Sequence, residues 1–155
     1  LVLTTFLGMN LSYFSYKVKF YLHILLLLLC IFFYPWYLLV MKVKVNNNIF
    51  KIKTLIDEKS QQIGMMNKKF DKSFNGLLFL MGGKKQCFWM KNCIIPLDII
   101  MIKNNVIVNI HSNCPPCDDK DCPSYCGMGN IVLELKGGAC ERLNIQPGDT
   151  VEYLF

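Results

Sequence analysis

Downstream of Lys42, apolar and polar residues trade places at every second position, in short runs separated by residues that tolerate a left-handed backbone. Lys42-Val43-Lys44-Val45 and Ile49-Phe50-Lys51-Ile52-Lys53 alternate on either side of Asn46-Asn47-Asn48, the pattern of two half-buried strands joined by a turn. A period of two places one side chain against a core and the next in water. A chain written this way can build little other than sheet.

The same pattern continues. Gly76 to Leu80 reads as a strand, and Gly82-Gly83-Lys84-Lys85 as a hairpin turn into a strand carrying Trp89. Ile99 to Ile102 is apolar at every position, as expected of a central strand covered on both faces. Asn104-Asn105 turns it into Val106 to Ile110, with Val106, Val108 and Ile110 on one face and Ile107, Asn109 and His111 on the other. Ile131 to Leu135 is a further strand, and Pro147-Gly148-Asp149 launches the last through Val151, Tyr153 and Phe155. Helical signals are brief. Asp57 caps a short helix that Gly64 ends, another follows Gly137-Gly138, and Met65 and Met66 read as core filler. About eight strands with one or two short helices imply a single mainly β domain, sandwich, jelly-roll or barrel-like.

Residues 1–40 follow another rule. They hold two cations, Lys17 and Lys19, and no acidic side chain. The uncharged stretch from Phe20 to Val40 matches the roughly 20 residues that cross a bilayer as a helix, with Tyr34, Trp36 and Tyr37 placed as an interfacial belt and Pro35 near its end. No small-x-small cleavage site follows it. The chain thus divides into an N-terminal apolar extension over 1–19, a candidate transmembrane helix over 20–40 and a β domain over 41–155. Met41 directly precedes the first strand, so a stretch that translation from Met41 would omit is the competing reading. The two readings imply a single-pass membrane protein and a cytoplasmic one.

Removing those 40 residues leaves 15 cations against 11 acids from the total of 17 and 11. The lysines are dispersed rather than gathered into a phosphate-tracking stripe, so nucleic acid is not an expected partner.

Eight cysteines include Cys30 in the apolar stretch, and the other seven cannot all pair with one another. Cys114, Cys117, Cys122 and Cys126 fall at C-x2-C-x4-C-x3-C spacing in a polar loop with three prolines. Four thiolates so placed suit a tetrahedral zinc site, with His111 as a substitute ligand. Two disulfides or unlinked thiols fit equally. Asp118, Asp119 and Asp121 disfavour thiolate and so argue against a disulfide-exchange role.

The densest chemistry lies in Phe88-Trp89-Met90-Lys91-Asn92-Cys93-Ile94-Ile95-Pro96-Leu97-Asp98. Aromatics, a cation, an amide and a carboxylate share one short segment, expected to bend before Pro96 and to fold back beside the cysteine loop. Together with Gly64-Met65-Met66, Gly76-Leu77-Leu78-Phe79, Cys122-Pro123-Ser124-Tyr125, Val132-Leu133-Glu134-Leu135 and Gly148-Asp149, it resembles the signature of domain-of-unknown-function family 192 over residues 42 to 154. The resemblance implies a compact mainly β fold and no established activity. Cys93 stands where the family more often has threonine, and the loop cysteines exceed its usual number.

Three functional readings follow. A non-catalytic binding or assembly module would use Trp89, Lys91, Asn92, Asp98 and Tyr125 to hold a small molecule, a saccharide or a protein, with Trp89 as a stacking platform. A Lys91–Asp98 ion pair would then fix the fold. A small hydrolase or transferase on a saccharide or envelope polymer would use Asp98 as base, Lys91 for charge stabilisation and His111 nearby. A structural zinc protein would ligate through Cys114, Cys117, Cys122 and Cys126.

Overall fold

Lysine on one face and valine or isoleucine on the other drive β1 (Val40–Val45) and β2 (Asn48–Leu55) into an antiparallel hairpin. Val43, Val45, Phe50 and Ile52 are buried while the lysines between them face solvent or lie half-buried. The computed structural model describes residues 40–154 together with Phe20, Tyr21, Ile24 and Leu25. The remainder of the expected membrane span lies outside the described residues, and among those described no helix is long and apolar enough to cross a membrane.

After the hairpin, Asp57 caps α1 (Glu58–Ile63), its carboxylate accepting from the Ser60 N–H at 2.8 Å, and Gly64 ends it at φ 45°. β3 (Gly76–Leu80) then pairs in parallel with β2. β4 (Lys85–Trp89) leaves this sheet, so the Gly82-Gly83 segment is a crossover and not the expected hairpin. The reason is that both edges of β3 are taken, one by β2 and the other by β8.

β5 (Leu97–Lys103) and β6 (Val106–Cys114) form a hairpin through Asn104 and Asn105, both at positive φ. β7 (Ser124–Met128) pairs with β4, β8 (Ile131–Lys136) lies between β3 and β5, and α2 (Ala139–Arg142) leads to β9 (Val151–Leu154). The main sheet runs β6-β5-β8-β3-β2-β1-β9. It curls so that the β6 edge reaches the segment leading into β9 at a Val106–Thr150 bridge, reinforced by the Ile107 N–H donating to the Asp149 carbonyl at 2.9 Å.

The two faces of the sheet bury separate cores. Val43, Ile52, Leu78, Ile100, Ile102, Leu133 and Val151 fill the concave side. Leu77, Phe79, Ile99, Met101, Val132, Met65, Met90, Cys93 and Cys114 fill the layer beneath the β4–β7 ribbon. In β6 the expected alternation breaks at Val108. Ile102 pairs with Ile107 but Met101 with Asn109, so one residue is extra. This bulge puts Val108 in solvent and turns Ile107 and Ile110 to the same core.

Candidate functional site

The segment at the end of β4 bends where the sequence implies. Asn92 takes φ 57°, which an Asn tolerates better than a branched residue would. The bend turns Met90 and Cys93 inward and leaves Trp89 about half exposed. The cysteine loop lies alongside: Asn92 N–H donates to the Cys117 carbonyl at 3.0 Å, Cys117 N–H to the Met90 carbonyl at 3.1 Å, and Lys91 bridges to Cys117.

Zinc is excluded from that loop by covalent chemistry. Cys126 is bonded to Cys87 across the β4–β7 pair, Cys117 is bonded to Cys122, and Cys114 is a buried free thiol. A sulfur in a disulfide has no thiolate lone pair to give a metal, and among the described residues no cluster of three potential ligands exists. Cys87 is the partner that loop spacing alone could not reveal.

The expected binding residues separate into two environments. Asp98 is fully buried on the concave side. Its Oδ1 accepts from the Asn113 N–H at 2.7 Å and the Gly138 N–H at 2.9 Å, and its Oδ2 from the Cys140 N–H at 2.7 Å. It therefore ties β6 to the start of α2. The Pro96 corner closes on the same place, where Gly137 N–H donates to the Pro96 carbonyl at 2.9 Å. The expected Lys91–Asp98 ion pair does not form. Lys91 instead holds its ammonium 5.3 Å from the Trp89 ring centroid, and the one ion pair among the described residues joins Lys44 to Glu152.

His111 pairs with Ile99 and thus faces the other layer, its Nε2 3.0 Å from the Cys126 carbonyl. Tyr125 packs against the His111 ring and places its hydroxyl at the Cys114 thiol, and burial raises its pKa. Asn92 contributes through its backbone. Of the residues singled out in sequence, Trp89 stands at a cavity, with Lys91 beside it.

That cavity is an open cleft of about 710 Å³ between α1 and β4. Met65, Met66, Phe79, Met81 and Phe88 supply its apolar wall, Trp89 and Glu58 stand among its lining, and Glu134 from β8 also lines it. Glu134 is 5 % exposed, and its Oε2 has no hydrogen-bond partner. Burial pushes this carboxyl from its usual 4.5 up to about 8, so at neutral pH it holds a proton and can donate as well as accept. The neighbouring thiols are disfavoured as thiolates: burial, then the charge of Glu134, raises Cys93 to about 11, and burial with the charge of Asp98 raises Cys114 to about 11.

Sequence reasoning passed over Glu134 although a signal was present. It is a lone acid inside the apolar run Ile131 to Leu135, and a strand between two others offers it no water. Its register partners Leu77 and Ile99 are both buried in the layer below the ribbon.

The chain is similar to a protein of unknown function from Novosphingobium aromaticivorans, at 32% identity over 73% of this chain and 84% of that one, with a TM-score of 0.64. It is also similar to a Sinorhizobium meliloti protein named provisionally as a transcription regulator, at 25% identity over 74% of this chain and 93% of that one, TM-score 0.64. No curated protein matches. The family model described as "Uncharacterized ACR" matches residues 41–153, and the chain therefore belongs to domain-of-unknown-function family 192.

Proposed function

We propose that the domain is a non-catalytic binding module whose ligand seats in the cleft between α1 and β4. One observation carries this reading: a buried carboxyl without a hydrogen-bond partner lines an apolar, aromatic-edged cavity. Burying such a group costs a few kcal/mol unless a partner arrives, and a ligand that reaches the floor of the cleft can supply that partner. Its volume lies in the range of small-molecule sites. Trp89, exposed at the edge with the Lys91 ammonium near its ring, provides the stacking surface. Asp98, Asn92 and Tyr125 support the reading as scaffold, holding the Pro96 corner and the cysteine loop in place.

The enzymatic alternative, a hydrolase or transferase using Asp98, Lys91 and His111, has weaker support. Asp98 already accepts three backbone hydrogen bonds and lies on the opposite sheet face from His111. The two disulfides favour an oxidising compartment as the working environment.

A fragment screen on the full chain, followed by backbone and methyl chemical shifts, tests the proposal. Binders are expected to shift Met65, Met66, Phe88 and Trp89 together. If none perturbs these residues, or if binders cluster on another face, the cleft is not the site.

A further inference from the structure

Resting on the binding reading above, we infer that the cleft takes a small organic amine, its apolar body lying along Met65, Met66, Phe88 and Trp89 and its ammonium meeting Glu134. Three features point to that class of ligand.

The first is the unsatisfied group itself. Among the described residues nothing hydrogen-bonds Glu134 Oε2, and the strongest partner for a buried carboxyl is a charged N–H donor. The second is the sign of the lining. The lining carries two acidic side chains, Glu58 and Glu134, and no lysine or arginine among the described residues, although the β domain carries more cations than acids. The nearby lysines are engaged at the margin: Lys68 donates to the Gly64 carbonyl at 3.1 Å, and Lys91 sits over Trp89. Lys68 and Glu58 are both exposed, so solvent screens their opposed effects on an incoming cation and leaves the buried Glu134 as the deciding acid. The third is the wall. Aromatic faces attract cations through their quadrupoles, and methionine side chains adapt to an irregular apolar body. A neutral alcohol or carbonyl would satisfy the acid's hydrogen bond but would make no use of the acidic lining.

The proton balance gives a second readout. Glu134 holds a proton in the free protein, and an arriving ammonium displaces it, so the carboxylate–ammonium pair forms with release of that proton to the buffer. A neutral ligand releases none.

The full chain is titrated by calorimetry at pH 7 with phenethylamine, phenethyl alcohol and 3-phenylpropionate, in two buffers of different ionisation enthalpy. The amine is expected to bind with proton release, the alcohol about tenfold more weakly without it, and the carboxylate more weakly still. Glu134→Gln keeps the side chain's size and should cost the amine about tenfold while leaving the alcohol unchanged. Glu134→Met serves as the second neutral variant, and thermal unfolding of both verifies the fold. Equal affinity for alcohol and amine, or full amine affinity in folded Glu134→Gln, overturns the amine assignment and leaves the binding reading intact. Failure of all three probes overturns the amine assignment alone if the fragment screen finds ligands in the cleft, and both readings if it finds none.

Discussion

Asp98 and Glu134 lie one register step apart on adjacent strands, yet their carboxyls leave the sheet on opposite faces. Asp98 pairs with Leu135, and Ile99 pairs with Glu134. The Asp98 carboxyl meets three backbone N–H groups at the start of α2, whereas Glu134 Oε2 meets none. Two acids of one sheet thus divide between a fully hydrogen-bonded corner and the floor of a cleft. Their substitutions should separate the same way.

Glu134 makes stability depend on pH with a definite sign. Its carboxyl titrates near 4.5 when unfolded and about 8 when folded, so between those values the folded state holds the extra proton. Stability then falls as pH rises through that window, by at most about 1.4 kcal/mol per pH unit from this group, and levels off above it. Denaturant unfolding from pH 5 to 8.5 should show this slope in the parent and lack it in Glu134→Gln. An identical pH dependence in both proteins would contradict the burial of this carboxyl.

Asp98→Ala leaves the N–H groups of Asn113, Gly138 and Cys140 without their acceptor. Stranding buried donors costs roughly 1–3 kcal/mol each, and a total near 4 kcal/mol is expected after partial relaxation. Thermal unfolding measures it. In the fraction that remains folded, ligand affinity for the cleft should be unchanged, because the carboxyl faces the other core.

Gly137→Ala should destabilise without touching the cleft. A Cβ there would stand 2.6 Å from Asn113 Oδ1 and 2.8 Å from Pro96 Cβ. Neither the proline nor the adjoining backbone can yield cheaply, so about 2 kcal/mol is expected. Gly138→Ala provides a contrast, since that position is open in space but sits at φ 79°. Its cost of about 1 kcal/mol comes from backbone conformation. Chemical denaturation of both variants distinguishes crowding from backbone strain.

The disulfides should contribute unequally. Cys87–Cys126 closes a separation of 39 residues and Cys117–Cys122 one of 5, which by loop entropy corresponds to about 4 and about 2 kcal/mol. Paired Cys→Ser variants measured by thermal unfolding should keep that order. Alkylation without reductant should label Cys93, Cys114 and Cys140 after denaturation, and leave them unlabelled in the native protein, where all three are buried.

Local chemistry made several elements legible in the sequence. The Lys–Val alternation specified the β1–β2 hairpin, Asp57 and Gly64 bounded α1, and the Asn104-Asn105 pair joined β5 to β6. In each case the information lies within a few residues. The bend after Trp89 was equally readable because Asn92 and Pro96 restrict the backbone directly. Tertiary structure alone decided the rest. The partner of Cys126 depends on β4 leaving the main sheet for β7, and the fate of Asp98 depends on α2 arriving some 40 residues later. Glu134 stood in plain view as an acid among leucines and isoleucine. Its lack of a partner is a property of what β3, β5 and α1 bring around it, since sequence sets which face of a strand a side chain takes, and only the assembled sheet sets what that face meets.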